Sequence, residues 1–357
     1  MDRSTQNSGT IEVREAHRFE VARLEAWMER EVPGYAGPLR LEQFKGGQSN
    51  PTYKLITPAR SYVLRRKPPG KLLPGAHAVD REFRVISALH GAGFPVATPF
   101  GLCLDEDVIG TAFYVMDMVE GRIFWEAAFP QVAREDRPSY FDAMNRTIAS
   151  LHSLDPQAIG LGDFGKPGNY FARQIARWSG QYENDVEAGR VPAMDRLVEW
   201  LPQNIPDGDG GEARIIHGDF RCDNMIFHAT KPEVIAVLDW ELSTLGHPLA
   251  DFSYHLMMYR MPSELATGVA GLDLPALNIP SEQDYVDAYC GRTGREGIPN
   301  LDFYIAFNMF RLAAIIHGIK GRLARGTAAS AHADKMVSRL DGLAELAWAQ
   351  AQRAGAE

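Results

Sequence analysis

The sequence has only three cysteines in 357 residues, Cys103, Cys222 and Cys290. An odd number without close pairs supports neither a disulfide framework nor a zinc site, which points to a reducing compartment. An unbroken apolar run is also missing. The most apolar long stretch, residues 303–319, is interrupted by Asn308, Arg311 and His317 and falls short of a membrane span. Basic residues are outnumbered, 37 Lys and Arg against 46 Asp and Glu, and the net charge of −9 argues against a chain-wide surface for nucleic acid or anionic membrane. Residues 1–10 are polar and lack the apolar core of a signal peptide. Repeats of solenoid length and a G-x-G-x-x-G fingerprint are absent as well. Together these absences predict a cytoplasmic protein with no nucleic-acid and no membrane partner.

What is present is a globular composition, 45% apolar and 23% charged, in a chain long enough for two domains or one two-lobed unit. Residues 1–14 read as a mobile tail and 15–31 as an amphipathic helix. Strand-like runs follow at 39–44, 52–57 and 61–66, then a helix at 79–90 and strands near 96–104 and 111–118. The expectation is an antiparallel sheet with one helix over residues 1–118, and a mainly helical region over 119–357. Helical spacing recurs there at 140–154, 170–188, 193–203, 283–290, 303–325 and 329–354. A β-rich island at 214–216, 224–227 and 234–238 interrupts it.

That island carries the strongest chemical signal, His217-Gly218-Asp219-Phe220-Arg221-Cys222-Asp223-Asn224 and then Leu238-Asp239-Trp240-Glu241. Phosphoryl transfer to a hydroxyl needs a carboxylate to accept the proton, and oxygen ligands to hold magnesium against nucleotide phosphates. Short strands before Asp219 and Asp239 would bring Asp219, Asn224 and Asp239 to one edge of a small sheet. Earlier in the chain, the loop with Gly46, Gly47, Ser49 and Asn50 lies between two strands, where exposed N–H groups suit phosphate oxygens.

The pattern H-G-D-x-x-x-x-N followed by D-W resembles the aminoglycoside phosphotransferase and choline kinase-like family, small-molecule relatives of protein kinases. The resemblance implies an α+β, bilobal protein-kinase-like fold that uses ATP and Mg2+ to phosphorylate a small-molecule acceptor. It implies that Asp219 is the catalytic base or hydroxyl-orienting residue and that Asn224 and Asp239 are the magnesium ligands. Asp251 matches a position that supports the catalytic loop, and Glu241 stands where protein kinases have glycine. Arg65, or Arg66 in a shifted register, stands where the family has a phosphate-binding Lys, and Glu82 where that cation finds its partner. The stretch 114–121 matches the inter-lobe hinge, which assigns adenine contacts to the carbonyl of Asp117 and the N–H of Val119. The stretches Leu64-Arg65-Arg66-Lys67-Pro68-Pro69-Gly70-Lys71 and Arg81-Glu82-Phe83 resemble the branch attached to acyl-CoA dehydrogenases, which implies hydroxyacyl-CoA acceptors.

The acceptor side has one further clue. The helix read at 303–325 contains Arg311, Lys320, Arg322 and Arg325 and no acidic residue. Tyr304, Asn308 and Arg311 fall on one stripe, which faces either water or a cleft. In a cleft it would suit an anionic hydroxy acid or CoA ester. The competing readings are a catalytically silent nucleotide-binding module and an aminoglycoside- or choline-type kinase with a cationic acceptor.

Overall fold

The computed structural model describes residues 9–45, 50–70, 77–209, 211, 213–263, 265, 268–327 and 333–357. Two compact units emerge. One takes in the chain up to Trp125 together with Ile159–Leu161 and Cys222–Ser243, and the other holds Glu126–Ala158, Gly162–Arg221 and Thr244–Glu357. The expected division at residue 118 is sequential, whereas the segment bearing Asn224 and Asp239 groups with the sheet.

The first unit contains β1 (Thr10–Ile11), α1 (Val21–Glu31), β2 (Arg40–Phe44), β3 (Thr52–Ile56), β4 (Ser61–Arg66), α2 (Val79–Gly91), β5 (Pro99–Cys103) and β6 (Phe113–Asp117). The six strands form one antiparallel sheet in the order β1-β2-β3-β4-β6-β5. Strand alternation sorts its side chains by face. Tyr62 and Leu64 of β4 and Phe113 and Val115 of β6 pack with Leu24, Trp27 and Met28 of α1 in one apolar core. Val63 and Arg65, with Tyr114 and Met116, line a pocket on the other side.

Two expectations are corrected at the N-terminus. Residues 10 and 11 are not tail but an edge strand, with Thr10 opposite Phe44 and Ile11 opposite Gln43; two residues are too few to show a period. The helix read at 15–31 is broken. A single 3-10 turn spans Glu15–His17, Arg18 is extended, and α1 begins at Val21. Phe19, in the gap, sets its ring edge-on to Tyr53, 5.4 Å between centroids.

A second hairpin, Met225–Phe227 with Val234–Val237, belongs to the same unit. Arg122 and Phe227 exchange main-chain hydrogen bonds at 2.8 Å, and the Val237 N–H donates to the Pro95 carbonyl at 2.9 Å. These bonds fasten the hairpin beside the end of β6. Gly121 permits the approach, since a Cβ there would stand 2.3 Å from the Phe227 oxygen.

The second unit is mainly helical. The helix Leu301–Ala324 runs through its interior with 15 of 24 residues buried, packed by Leu340–Arg353, Pro248–Leu256 and Tyr170–Asn184. Helix Glu282–Thr293 shows how local sequence sets its ends. Ser281 accepts the Asp284 N–H at the start, and Gly294 stops it in the left-handed region at φ 69°. Strands Arg214–Ile216 and Thr244–Gly246 pair antiparallel. The latter strand and the helix Pro248–Leu256 are elements that the sequence reading did not anticipate.

Candidate active site

The pocket in the first unit has a volume of about 440 Å³. The chain from Met116 to Gly121 borders it, Ile226 and Val237 add apolar surface, and Arg65, Asn224 and Asp239 add polar groups. In the sheet register Val63 faces Met116 and Arg65 faces Tyr114, so Arg65 lies one strand repeat away from the 116–121 segment. Asp117 and Val119, the expected adenine contacts, both line the pocket. The Asp117 side chain is held by Arg60 at 2.6 Å and its N–H donates to the Thr98 carbonyl.

Arg65 rather than Arg66 is the cation of the site. Its Nε pairs with Glu82 Oε2 at 2.8 Å, and its Nη2 donates to Asp239 Oδ1 at 2.7 Å and to Glu241 Oε2 at 3.4 Å. Arg66 points elsewhere, its guanidinium lying 5.3 Å from the Phe19 ring centroid. Burial opposes the charge on Arg65, but Glu82, with Asp239 and Glu241, more than offsets this and holds the guanidinium protonated. Burial pushes the Glu82 carboxyl above its ordinary range, and Arg65 works against that rise. Glu82 and the pocket residue Ile86 sit four positions apart on α2, hence on one face.

Tyr114 and Asn50 complete the setting of Glu82. The Tyr114 hydroxyl donates to Oε2 at 3.0 Å and the Asn50 amide to Oε1 at 2.8 Å. Asn50 was expected to meet phosphates with its loop. Its fully buried side chain instead supports Glu82 and contacts His77 Nδ1 at 2.9 Å. Gly46, Gly47 and Ser49 lie outside the described residues.

The hairpin places Asn224 and Asp239 side by side at its open end, where the Leu238 N–H donates to the Asn224 carbonyl at 2.8 Å. Asp239 adopts the left-handed conformation, φ 64° and ψ 64°, and a 3-10 turn, Trp240–Leu242, follows at once. Asn and Asp tolerate that conformation better than most residues. Trp240 locks the turn from below, its indole donating to the Val237 carbonyl at 2.9 Å.

These residues fit magnesium and a nucleotide by donor chemistry. An amide oxygen and a carboxylate are hard ligands, and magnesium is usually held by one or two carboxylates with water and phosphate completing the shell. Three carboxylates surround the single Arg65 guanidinium, so the polar end of the pocket favours a further cation.

Asp219 belongs to the second unit, five positions before Asn224 on a continuous loop. Its Oδ1 accepts the Tyr254 hydroxyl at 2.5 Å and pairs with Arg221 Nε at 3.3 Å. Asp251 holds the preceding turn, Oδ2 accepting the His217 N–H and Oδ1 the Gly218 N–H, each at 2.8 Å. Burial alone would raise the Asp251 carboxyl, but His152, 3.2 Å away, and the His217 contacts bring it below its ordinary value. His217 is fully buried, and its Nδ1 accepts the Asp219 N–H at 3.2 Å, a loop-building role.

The stripe read on the long helix faces neither water nor open space. Tyr304 is buried and stacks on Phe171 at 5.0 Å, and the Asn308 amide nitrogen donates to Ala250 O and Ser253 Oγ at 2.9 Å. Arg311 is buried over the Tyr254 ring and donates to the Gly218 carbonyl at 2.6 Å. Its partner is thus a main-chain oxygen of the Asp219 loop. A stripe on one helix cannot reveal acceptors supplied by another segment. Tyr254 was not singled out by sequence reasoning, and Tyr114 and Trp240 entered it only as members of the hinge stretch and of the D-W motif. A signal for Tyr254 existed, because it lies three positions after Asp251 on one helix.

An antiparallel sheet with the Arg65–Glu82 pair, joined in the same unit to a hairpin bearing Asn224 and Asp239, defines a kinase-like phosphotransferase. Residues 40–290 match the Phosphotransferase enzyme family, and the chain belongs to that family. A crystal structure from Ralstonia eutropha JMP134, named as a candidate aminoglycoside phosphotransferase, is 51% identical over 94% of this chain and 99% of its own, with a TM-score of 0.87. Acyl-CoA dehydrogenase family member 11 of Gallus gallus is 43% identical over 94% of this chain, which spans 44% of that protein's length. A thermostable aminoglycoside phosphotransferase APH(4)-Ia, in ternary complex with ADP and hygromycin B, shares the fold at 13% identity and a TM-score of 0.58. Among the described residues, no helix is long and apolar enough to cross a membrane.

Proposed function

We propose that this phosphotransferase is an ATP- and magnesium-dependent kinase acting on the hydroxyl of an anionic small molecule, a hydroxy acid or a hydroxyacyl-CoA. The observation that carries the kinase reading is the pocket lined together by Arg65, Asn224, Asp239 and the 116–121 segment, with Arg65 one strand repeat from that segment. Main-chain groups of Asp117 and Val119 bind the base, and Arg65 binds phosphate oxygens. Asn224 and Asp239 would hold magnesium, which would supply neutralisation of charge on the phosphates. Asp219 takes the proton of the acceptor hydroxyl as its oxygen attacks the γ-phosphorus, the bond to the β-phosphate oxygen breaks, and ADP leaves.

The anionic acceptor is favoured by Arg221, whose side chain is 42% exposed beside Asp219. A polycationic aminoglycoside would meet that charge with repulsion. The acyl-CoA dehydrogenase naming of the relatives agrees with a CoA ester. Contacts from Tyr304, Asn308 and Arg311 form no part of the proposal, because their polar groups serve the loop and the helix packing.

The test is ADP release over hydroxy acids, hydroxyacyl-CoA thioesters, aminoglycosides and choline. Turnover is expected with the first two classes, lowered by about 10²- to 10⁴-fold in Asp219→Asn with nucleotide affinity retained. Turnover with aminoglycosides or choline alone would overturn the acceptor class. An inability to bind ATP would overturn the kinase reading.

A further inference from the structure

Tyr254 has no place in the chemistry described so far, yet its hydroxyl donates to the proposed base at 2.5 Å. Its phenol is buried in the helix Pro248–Leu256, one turn beyond the Asp251 that grips the 217–218 amides. One helix face therefore holds the turn through a carboxylate and the base through a hydroxyl. Arg311 reinforces both, donating to the Gly218 carbonyl and lying 5.2 Å from the Tyr254 ring centroid. We propose that Tyr254 is a positioning residue for the phosphotransfer, fixing the Asp219 carboxylate by a hydrogen bond to Oδ1.

The proposal rests on the assignment of Asp219 as base. A donor to an ionised carboxylate stabilises that form, and its loss raises the carboxyl pKa. Burial pushes the Tyr254 phenol well above its ordinary range, and the Asp219 charge pushes it further, so the hydroxyl remains a donor throughout the working pH range. Other groups facing Asp219 include Arg221 at 3.3 Å and His217, which accepts the Asp219 N–H; the Arg311 cation stands behind the phenol ring. Arg221 acts in the same direction as Tyr254, and a test has to separate the two.

The experiment is a ¹³C-carboxyl NMR titration of the full chain labelled at aspartate, with the Asp219 resonance assigned by its absence in Asp219→Asn. In Tyr254→Phe, which keeps the ring over Arg311, Asp219 is expected to titrate about one pH unit higher than in the unsubstituted protein. The acid limb of the kcat profile for ADP release should move the same way, with the KM for ATP unchanged. An unshifted carboxyl in a folded Tyr254→Phe protein overturns the proposal. Arg221→Gln gives a reading that does not depend on how Tyr254→Phe folds. With the Arg221 charge gone, the Tyr254 hydroxyl proton should still resonate downfield as a donor to Asp219 Oδ1, and its absence overturns the proposal. Failure of the base assignment has a different signature, since Asp219→Asn would then keep its turnover while the NMR difference persisted.

Discussion

Arg65 holds three carboxylates with one guanidinium, and its geometry determines what each substitution removes. The planar fork reaches Glu82 through Nε while Nη2 spans Asp239 and Glu241. A lysine carries a single point charge and cannot make these contacts at once. Arg65→Lys is expected to keep the Glu82 pair, loosen Asp239 and Glu241, and raise the KM for ATP, measurable in steady-state ADP release. Arg65→Met leaves Glu82 buried without its cation and should cost about 3–5 kcal/mol in urea unfolding. At Asp239, alanine would confound the loss of charge with strain, because the backbone there is left-handed. Asp239→Asn tolerates that backbone. It should abolish magnesium-dependent turnover while the melting temperature changes little, and full activity in that variant would remove Asp239 from the metal site.

At the level of elements, the end of β6 and the Met225–Phe227 hairpin act as one piece because Arg122 pairs with the Phe227 main chain and Gly121 lies close against it. Gly121→Ala puts a methyl group against the Phe227 oxygen and should cost about 1–3 kcal/mol and raise the KM for ATP by shifting the pocket border. Unchanged stability and KM would mean that the two strands separate without consequence. Much of this was readable beforehand. The period-2 runs gave β2, β3, β4 and β6 to within a residue or two at most ends, and Asp219, Asn224 and Asp239 stood out by their spacing. What stayed hidden depended on partners distant in sequence. Thr10 and Ile11 are strand only because β2 lies beside them. Nothing within the Pro248–Leu256 stretch announces that its nine residues are all buried, and although Asp251 could be matched to the loop it supports, the Tyr254 hydroxyl that serves the same loop could not. The basic stripe around Arg311 was visible, but the Gly218 carbonyl that receives it was not.

For the whole molecule, the buried His255 makes stability depend on pH. In the second unit His255 donates from Nδ1 to the Phe220 carbonyl at 3.2 Å, and its Nε2 meets the Tyr285 hydroxyl at 2.6 Å. Burial lowers its pKa from the ordinary 6.5 to about 4. Between those values the unfolded chain binds a proton that the folded chain refuses. The stabilisation is therefore complete above about pH 6.5 and is lost as pH falls toward 4, to the extent of about 3 kcal/mol. Urea midpoints taken between pH 7 and 4.5 should fall accordingly, and His255→Gln should flatten the slope. A wild-type midpoint that stays level across that interval would exclude His255 as a source of acid sensitivity.

The discontinuity of the first unit bears on how the protein is made. Its six-stranded sheet is encoded by Asp117, but the hairpin that gives the pocket Asn224 and Asp239 ends at Val237, and residues 126–221 come between. A growing chain therefore displays β4 and β6 with Met116, Val63 and Ile86 uncovered while the middle of the protein is still being translated. Until the ribosome has passed Ser243, neither the Arg122–Phe227 bonds nor the Val237–Pro95 bond exists, and Arg65 has only Glu82 to answer its charge. Competence to hold a nucleotide thus arrives late in synthesis, and chains arrested before that point would present an apolar, half-built pocket to chaperones instead.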